Sequence, residues 1–160
     1  MSKIATKACG NIYYDARYHA AKFNDRLNSR EGAAEEMGID RSRLARIELG
    51  STIPYPEEVL LMADVYKSPE LKNHFCRELC PLGKNVPQIE CSSLDRIGIR
   101  AMSSFRKISE AKEILLDITE DGIIDASEKP ELNKIIEILD EVESITHSLK
   151  AWVEKNLQEG

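Results

Sequence analysis

Arg41, Ser42, Arg43 and Arg46 fall close together in the chain. A guanidinium is a planar fork of N–H donors that matches the paired acceptors of a guanine edge or a phosphate. A serine hydroxyl adds a short donor and acceptor. On a short helix, Arg41–Leu49, these residues share the outer face, while Leu44, Ile47 and Ala45 occupy the inner one. Basic donors on one short exposed face, over an apolar elbow, suit insertion into a DNA major groove. Arg43 and Ser42 are placed for base edges, Arg43 in bidentate geometry to guanine. Arg41 and Arg46 are placed to read bases or to flank them on phosphate.

That face needs rigid support, and the residues upstream supply it. Ser29 caps a preceding helix whose apolar contacts are Ala33, Ala34 and Met37. Gly38 follows, where a helix end favours a left-handed backbone. Ile39 points inward, Asp40 caps the second helix, and Gly50 stops it. Arg30 sits at the positive end of the first of these helices, where it is expected to clamp phosphate. Downstream, Pro54 and Pro56 stiffen the loop 51–56. The hydroxyls of Ser51, Thr52 and Tyr55 can bond phosphates, and Thr52 is counted with Arg30, Arg41, Ser42, Arg43 and Arg46 as a DNA-binding residue. Such contacts position a protein without reading sequence.

The stretch resembles the helix-turn-helix of the Cro/repressor (xenobiotic-response-element, XRE) family of bacterial and phage regulators. The matching residues are Ala34, Gly38-Ile39, Ser42, Leu44, Ile47-Glu48 and Gly50. The pattern continues through Pro54 into a helix 56–66, with Leu60, Met62 and Ala63 at the family's apolar positions. It covers about residues 11–70. The family usually carries Gln where this chain has Arg30, and a helix former and Leu where it has Gly32 and Ala33. A helical Gly costs up to about 1 kcal/mol relative to Ala. The resemblance implies a lambda-repressor-like domain, and a structural role for Glu48.

Around the motif, the spacing predicts a first helix over 11–27, capped by Asn11. Ile12, Ala16, Tyr18/His19, Phe23 and Leu27 face inward, and Arg17, Lys22 and Arg26 face outward. Lys3 and Lys7 form a loose basic arm or are simply solvated. A fourth helix over 56–66 turns Val59, Leu60, Met62 and Ala63 inward. A fifth, 69–79, buries Leu71, Phe75 and Leu79. Residues 1–80 thus form a five-helix domain, and the proline- and glycine-bearing stretch 81–92 reads as a linker.

Residues 93–160 carry two apolar seams at alternating steps of three and four. One runs Leu94, Ile97, Ala101, Phe105, Ile108, Ala111, Leu115, Ile118, with a break allowed at Ser103-Ser104. The other runs Leu132, Ile135, Leu139, Val142, Ile145, Leu149, Trp152. They predict an antiparallel helical hairpin with a thin core. Pairing of two such hairpins makes a four-helix bundle and a homodimer. Packing of the hairpin on its own head is the alternative. The turn holds Asp117, Thr119, Asp121, Gly122, Ile124, Asp125 and Glu128 at the spacings of a calcium loop. Asp121-Gly122 is equally a plain turn signal.

The net charge of −6 is unevenly spread. Residues 1–54 hold nine Lys/Arg against seven Asp/Glu, and residues 92–160 nine against fifteen. The acid lies away from the motif, and the local field at the contact face decides nucleic-acid binding. No apolar run approaches 18 residues, so no membrane span is expected, and the first ten residues lack a signal peptide's apolar core. The expected location is cytoplasmic, with reduced cysteines. Cys76 and Cys80 are one helical turn apart beside His74. With Cys9 or Cys91 they could hold zinc or an iron–sulfur group, but buried thiols are the default, and no metal or cofactor is assigned. His19, His74 and His147 are scattered, and no GxSxG, HExxH or phosphate-binding loop occurs, so an enzyme is not expected. The reading is an all-α transcriptional regulator binding double-stranded DNA as a homodimer through its C-terminal helices. The alternatives are a protein-interaction module, such as an antitoxin or adaptor, that uses the acidic hairpin, and a metal- or redox-responsive regulator.

Overall fold

Asn11 opens the first helix, its Oδ1 accepting from the backbone N–H groups of Tyr13 and Tyr14. In this computed structural model, which describes residues 8–90, 92–120 and 126–157, the regular structure is helical throughout. The chain divides between Val86 and Pro87 into two compact units. In the first, α1 (Ile12–Ala20), α2 (Arg30–Met37), α3 (Arg41–Glu48), α4 (Pro56–Val65) and α5 (Glu70–His74) follow one another, α5 running on into a π-helical turn, Phe75–Leu79.

The first helix is shorter than its periodicity suggests. It ends at Ala20, and the chain turns through Asn24, which caps a 3-10 turn at Asp25–Asn28. The inward face also differs. Tyr13, Tyr14, Ala16 and Arg17 are buried, while Tyr18 and His19 are exposed and Phe23 is 93% exposed. The register is set by Arg17, expected outside but drawn in by an ion pair with Glu48. Apolar periodicity carries no information about such a pair.

Caps elsewhere match the sequence. Ser29 Oγ accepts from Gly32 N–H at 3.0 Å, and Asp40 Oδ1 from Arg43 N–H at 2.9 Å. Gly38 takes φ 66°, and Gly38 and Ile39 donate back to Glu35 and Ala34. Gly32 has a physical reason: a Cβ there would stand 2.2 Å from the Arg26 carbonyl oxygen. The weak helix former is what lets the 3-10 turn close against α2.

The core joins all five helices through Tyr13, Ala16, Leu27, Ala33, Met37, Leu44, Ile47, Val59, Met62 and Leu71. Leu60, expected inside, is 58% exposed, because Val59, Met62 and Ala63 already fill the inner face of α4. The hydroxyls of Tyr13 and Tyr66 are buried without a hydrogen-bond partner among the described residues. Burial raises the Tyr13 phenol to about 12. Burial, and next the Glu48 charge, raise that of Tyr66 further, against the opposing Arg17 charge. An unfolded tyrosine ionises near pH 10. Stability from keeping these phenols neutral is therefore full below about pH 10 and is lost as pH rises through the folded values. We expect phenolate absorbance from Tyr13 and Tyr66 to appear together with loss of helicity in an alkaline titration. Ionisation ahead of unfolding would contradict their burial.

The second unit is the hairpin of α6 (Leu94–Thr119) and α7 (Lys129–Leu157), with α6 unbroken at Ser103-Ser104. Ile97, Ala111, Ile118, Ile135, Ile138 and Ile145 are buried, and Ser104 and Ser148 lie buried among them. Small serines let two backbones approach closely. Several residues assigned to the seams stand outside it: Leu94, Phe105, Leu115, Leu139 and Leu149 are exposed. A pair of helices can cover only one narrow strip on each partner, so wider stripes stay uncovered. Residues 87–90 belong to this unit: Gln88 O accepts from Ser144, Glu90 N–H donates to Ser148 Oγ, and the Glu90 carboxylate pairs with Arg100 at 2.6 Å.

Candidate nucleic-acid interface

The outer face of α3 presents Arg41, Ser42 and Arg46 to solvent. Asp40 at its N-terminus is occupied as a cap, and the inner residues Leu44, Ile47 and Glu48 are buried. Thr52 is half-buried in the following loop, where Ser51 Oγ donates to the Arg46 carbonyl.

The other two arginines picked from the sequence are not free. Arg30 Nε donates to Glu48 Oε2 at 2.6 Å, with the side chain about a quarter exposed. Glu48 is fully buried and also takes Arg17, through Nε at 2.5 Å and Nη2 at 3.0 Å. Arg17 Nη1 donates to the Leu27 carbonyl at 2.8 Å. Burial works against the charge of Arg17, but the Glu48 hydrogen bond and charge outweigh it and hold its pKa above the usual arginine value. One carboxylate thus ties the end of α3 to α1 and to the start of α2. Arg30 therefore has a structural partner as well as its place at a helix N-terminus.

Arg43 lies in a tighter arrangement. Its Nε donates to Glu58 Oε1 and its Nη2 to Glu58 Oε2, the latter at 2.7 Å. The guanidinium carbon stands 4.1 Å from the centroid of the Tyr55 ring. Glu58 Oε2 also accepts from Tyr55 N–H at 2.6 Å, closing the first turn of α4. Burial pushes the Glu58 carboxyl up, but the Arg43 hydrogen bond, the Tyr55 backbone bond and the Arg43 charge together hold it below the usual range. Glu58 and the ring of Tyr55 are the residues that sequence reasoning missed. The available signal was Glu58 as third residue of a helix that begins at Pro56.

Among the described residues the cysteines do not gather into a site. Cys9 and Cys76 are exposed, Cys80 is half-buried, and all three are free thiols. Among the described residues no three His, Cys, Asp or Glu side chains come together as a metal site. Cys91, the basic residues Lys3 and Lys7, and the central part of the calcium-like loop, 121–125, lie outside the described residues. Among the described residues no helix is long and apolar enough to cross a membrane.

Two short helices joined at a left-handed Gly38, the second presenting basic donors, are the geometry of a helix-turn-helix. Residues 24–72 match the helix-turn-helix family. This is a helix-turn-helix domain of the Cro/repressor (XRE) type. The match runs from the 3-10 turn to the first residues of α5 and includes both motif helices. Residues 24–72 are thus a DNA-binding domain of the kind found in that family of regulators. Comparison with curated proteins and with solved structures gives no match.

Proposed function

We propose that the chain is a sequence-specific transcriptional regulator that inserts α3 into the DNA major groove and acts as a homodimer in the cytoplasm. The observation that carries the reading is the outer face of α3, where Arg41, Ser42 and Arg46 are exposed on a helix whose other side is locked into the core. Arg41 and Arg46 supply charge at the groove edges, Ser42 and Arg43 reach the bases, and Thr52 bonds a phosphate from the loop. Arg30 adds its charge at the start of α2 while held by Glu48.

The homodimer rests on the hairpin. On α6, Leu94, Phe105 and Leu115 lie to one side of the buried strip Ile97, Ser104, Ala111 and Ile118, and Arg100 and Lys107 lie to the other. On α7, Ile136, Leu139 and Val153 fall on the side away from Lys134, Glu141 and Ser148. The pairs Lys107–Glu141 (2.7 Å) and Lys134–Glu110 (2.5 Å) put the charged flanks of both helices on one face, where residues 87–90 also lie. The opposite face is mostly apolar, with Leu94, Phe105, Leu115, Leu139 and Val153 solvent-exposed. A second hairpin laid on that face completes a four-helix bundle. Two joined heads then read two half-sites.

The experiment is fluorescence anisotropy with the DNA upstream of the protein's own coding sequence against scrambled duplex, over a salt series. Tight, selective binding with a steep salt slope is expected. Arg46→Ala should weaken binding and lower that slope by about one if Arg46 neutralises a phosphate. An unchanged slope with lost selectivity would move Arg46 to a base edge. Weak binding, equal on both duplexes, would favour a protein-interaction role for the hairpin.

A further inference from the structure

We propose that Glu58 and Tyr55 are specificity-determining residues that act through Arg43, fixing its guanidinium as a reader of one guanine. The inference rests on the reading of α3 as the groove helix. A free arginine at the start of such a helix swings between phosphate and base, because its side chain samples many rotamers. Here the Arg43 guanidinium is held by two residues. Its Nε and Nη2 are taken by the two oxygens of Glu58, and its central carbon stands over the Tyr55 ring, 4.1 Å from the centroid.

The pattern of donors decides what remains. A guanidinium has five N–H groups, and Glu58 uses two along the Nε/Nη2 edge. The end-on edge keeps one N–H on Nη1 and one on Nη2, side by side. Those two parallel donors match O6 and N7 of guanine in the major groove. Glu58 is fixed in its turn by the Tyr55 N–H at 2.6 Å, so the carboxylate does not follow the arginine if it moves. Its side chain is 9% exposed and that of Arg43 19%, which limits competition by water. The Glu58 charge also cancels that of Arg43, so this arginine adds little to non-specific phosphate attraction. Its contribution is placed in geometry, which is what discriminates a base.

The test is selection from a duplex library with a randomised central segment, using the full chain and three variants: Arg43→Ala, Glu58→Gln and Tyr55→Leu. Glu58→Gln keeps an oxygen for the Tyr55 N–H but removes one acceptor and the charge. Tyr55→Leu leaves that backbone bond intact and removes only the stacking ring. The wild type is expected to enrich guanine at one position of each half-site, and Arg43→Ala to lose that preference alone. Glu58→Gln and Tyr55→Leu should each lower guanine discrimination at the same position by about tenfold. Preference at the other positions should stay unchanged. A merely structural role for Glu58 would weaken all positions together, and that result overturns the proposal. Undiminished guanine preference in both variants overturns it equally. A wild type that enriches no sequence defeats the groove reading itself, and this proposal with it.

Discussion

Glu48→Ala is expected to remove about 3–5 kcal/mol from the stability of the helix-turn-helix domain. Glu48 is fully buried, and its two oxygens neutralise Arg17, which is 7% exposed, and Arg30, which is about a quarter exposed. Deleting the carboxylate leaves Arg17 charged in the interior with a single carbonyl partner, that of Leu27. Domains of this size hold about 5–15 kcal/mol in total, so the variant approaches the point of unfolding. Glu48→Gln should lose nearly as much, since an amide supplies one acceptor and no charge. Replacing both members, Arg17→Met with Glu48→Leu, should recover part of the loss, because apolar groups fill the space without desolvated charge. Hydrogen exchange at the amides of residues 41–48 is the measurement, since it reports on the head and excludes melting of the hairpin. A loss below about 1 kcal/mol would show that Glu48 contributes little beyond its own desolvation.

The same residue marks how far the sequence could be read. The motif helices were legible because their signals are local: Ser29, Gly38, Asp40 and Gly50 each act within a few residues. The hairpin was legible because a seam of threes and fours is a property of one segment. The first helix departs from its apolar periodicity because its register is set by a partner 31 residues away. Arg17 looks like a surface residue until Glu48 is known to lie opposite. Arg43 has the same history. Its place on α3 was readable, but its engagement by Glu58, 15 residues downstream, follows from how α4 docks beside α3. Phe105 and Leu139 looked like seam residues because periodicity counts apolar positions without asking how many faces one partner helix covers. What sequence periodicity misses is pairing at a distance, and at this site such pairing fixes which guanidinium donors remain open.

The double variant Phe105→Glu with Leu139→Glu is expected to convert a dimeric chain to a folded monomer. Both side chains are more than half exposed in the single chain, at 57% and 54%, so the hairpin itself loses little when they change. The buried strip of Ile97, Ala111, Ile118, Ile135, Ile138 and Ile145 stays intact, and helicity should be preserved. In a four-helix bundle the same positions are interior, and four new carboxylates facing one another there would carry a desolvation cost that apolar contacts cannot offset. Sedimentation velocity should show the wild type as a dimer and the variant as a monomer. Binding to a duplex with two half-sites should weaken by about 10²- to 10⁴-fold, because the second head no longer binds as part of a linked pair. Binding to a duplex with one half-site should be nearly unchanged, since α3 is untouched. That contrast separates lost dimerisation from a damaged head. A wild type that sediments as a monomer at micromolar concentration, with the variant identical to it, would show that the apolar face is not covered by a second copy of this chain.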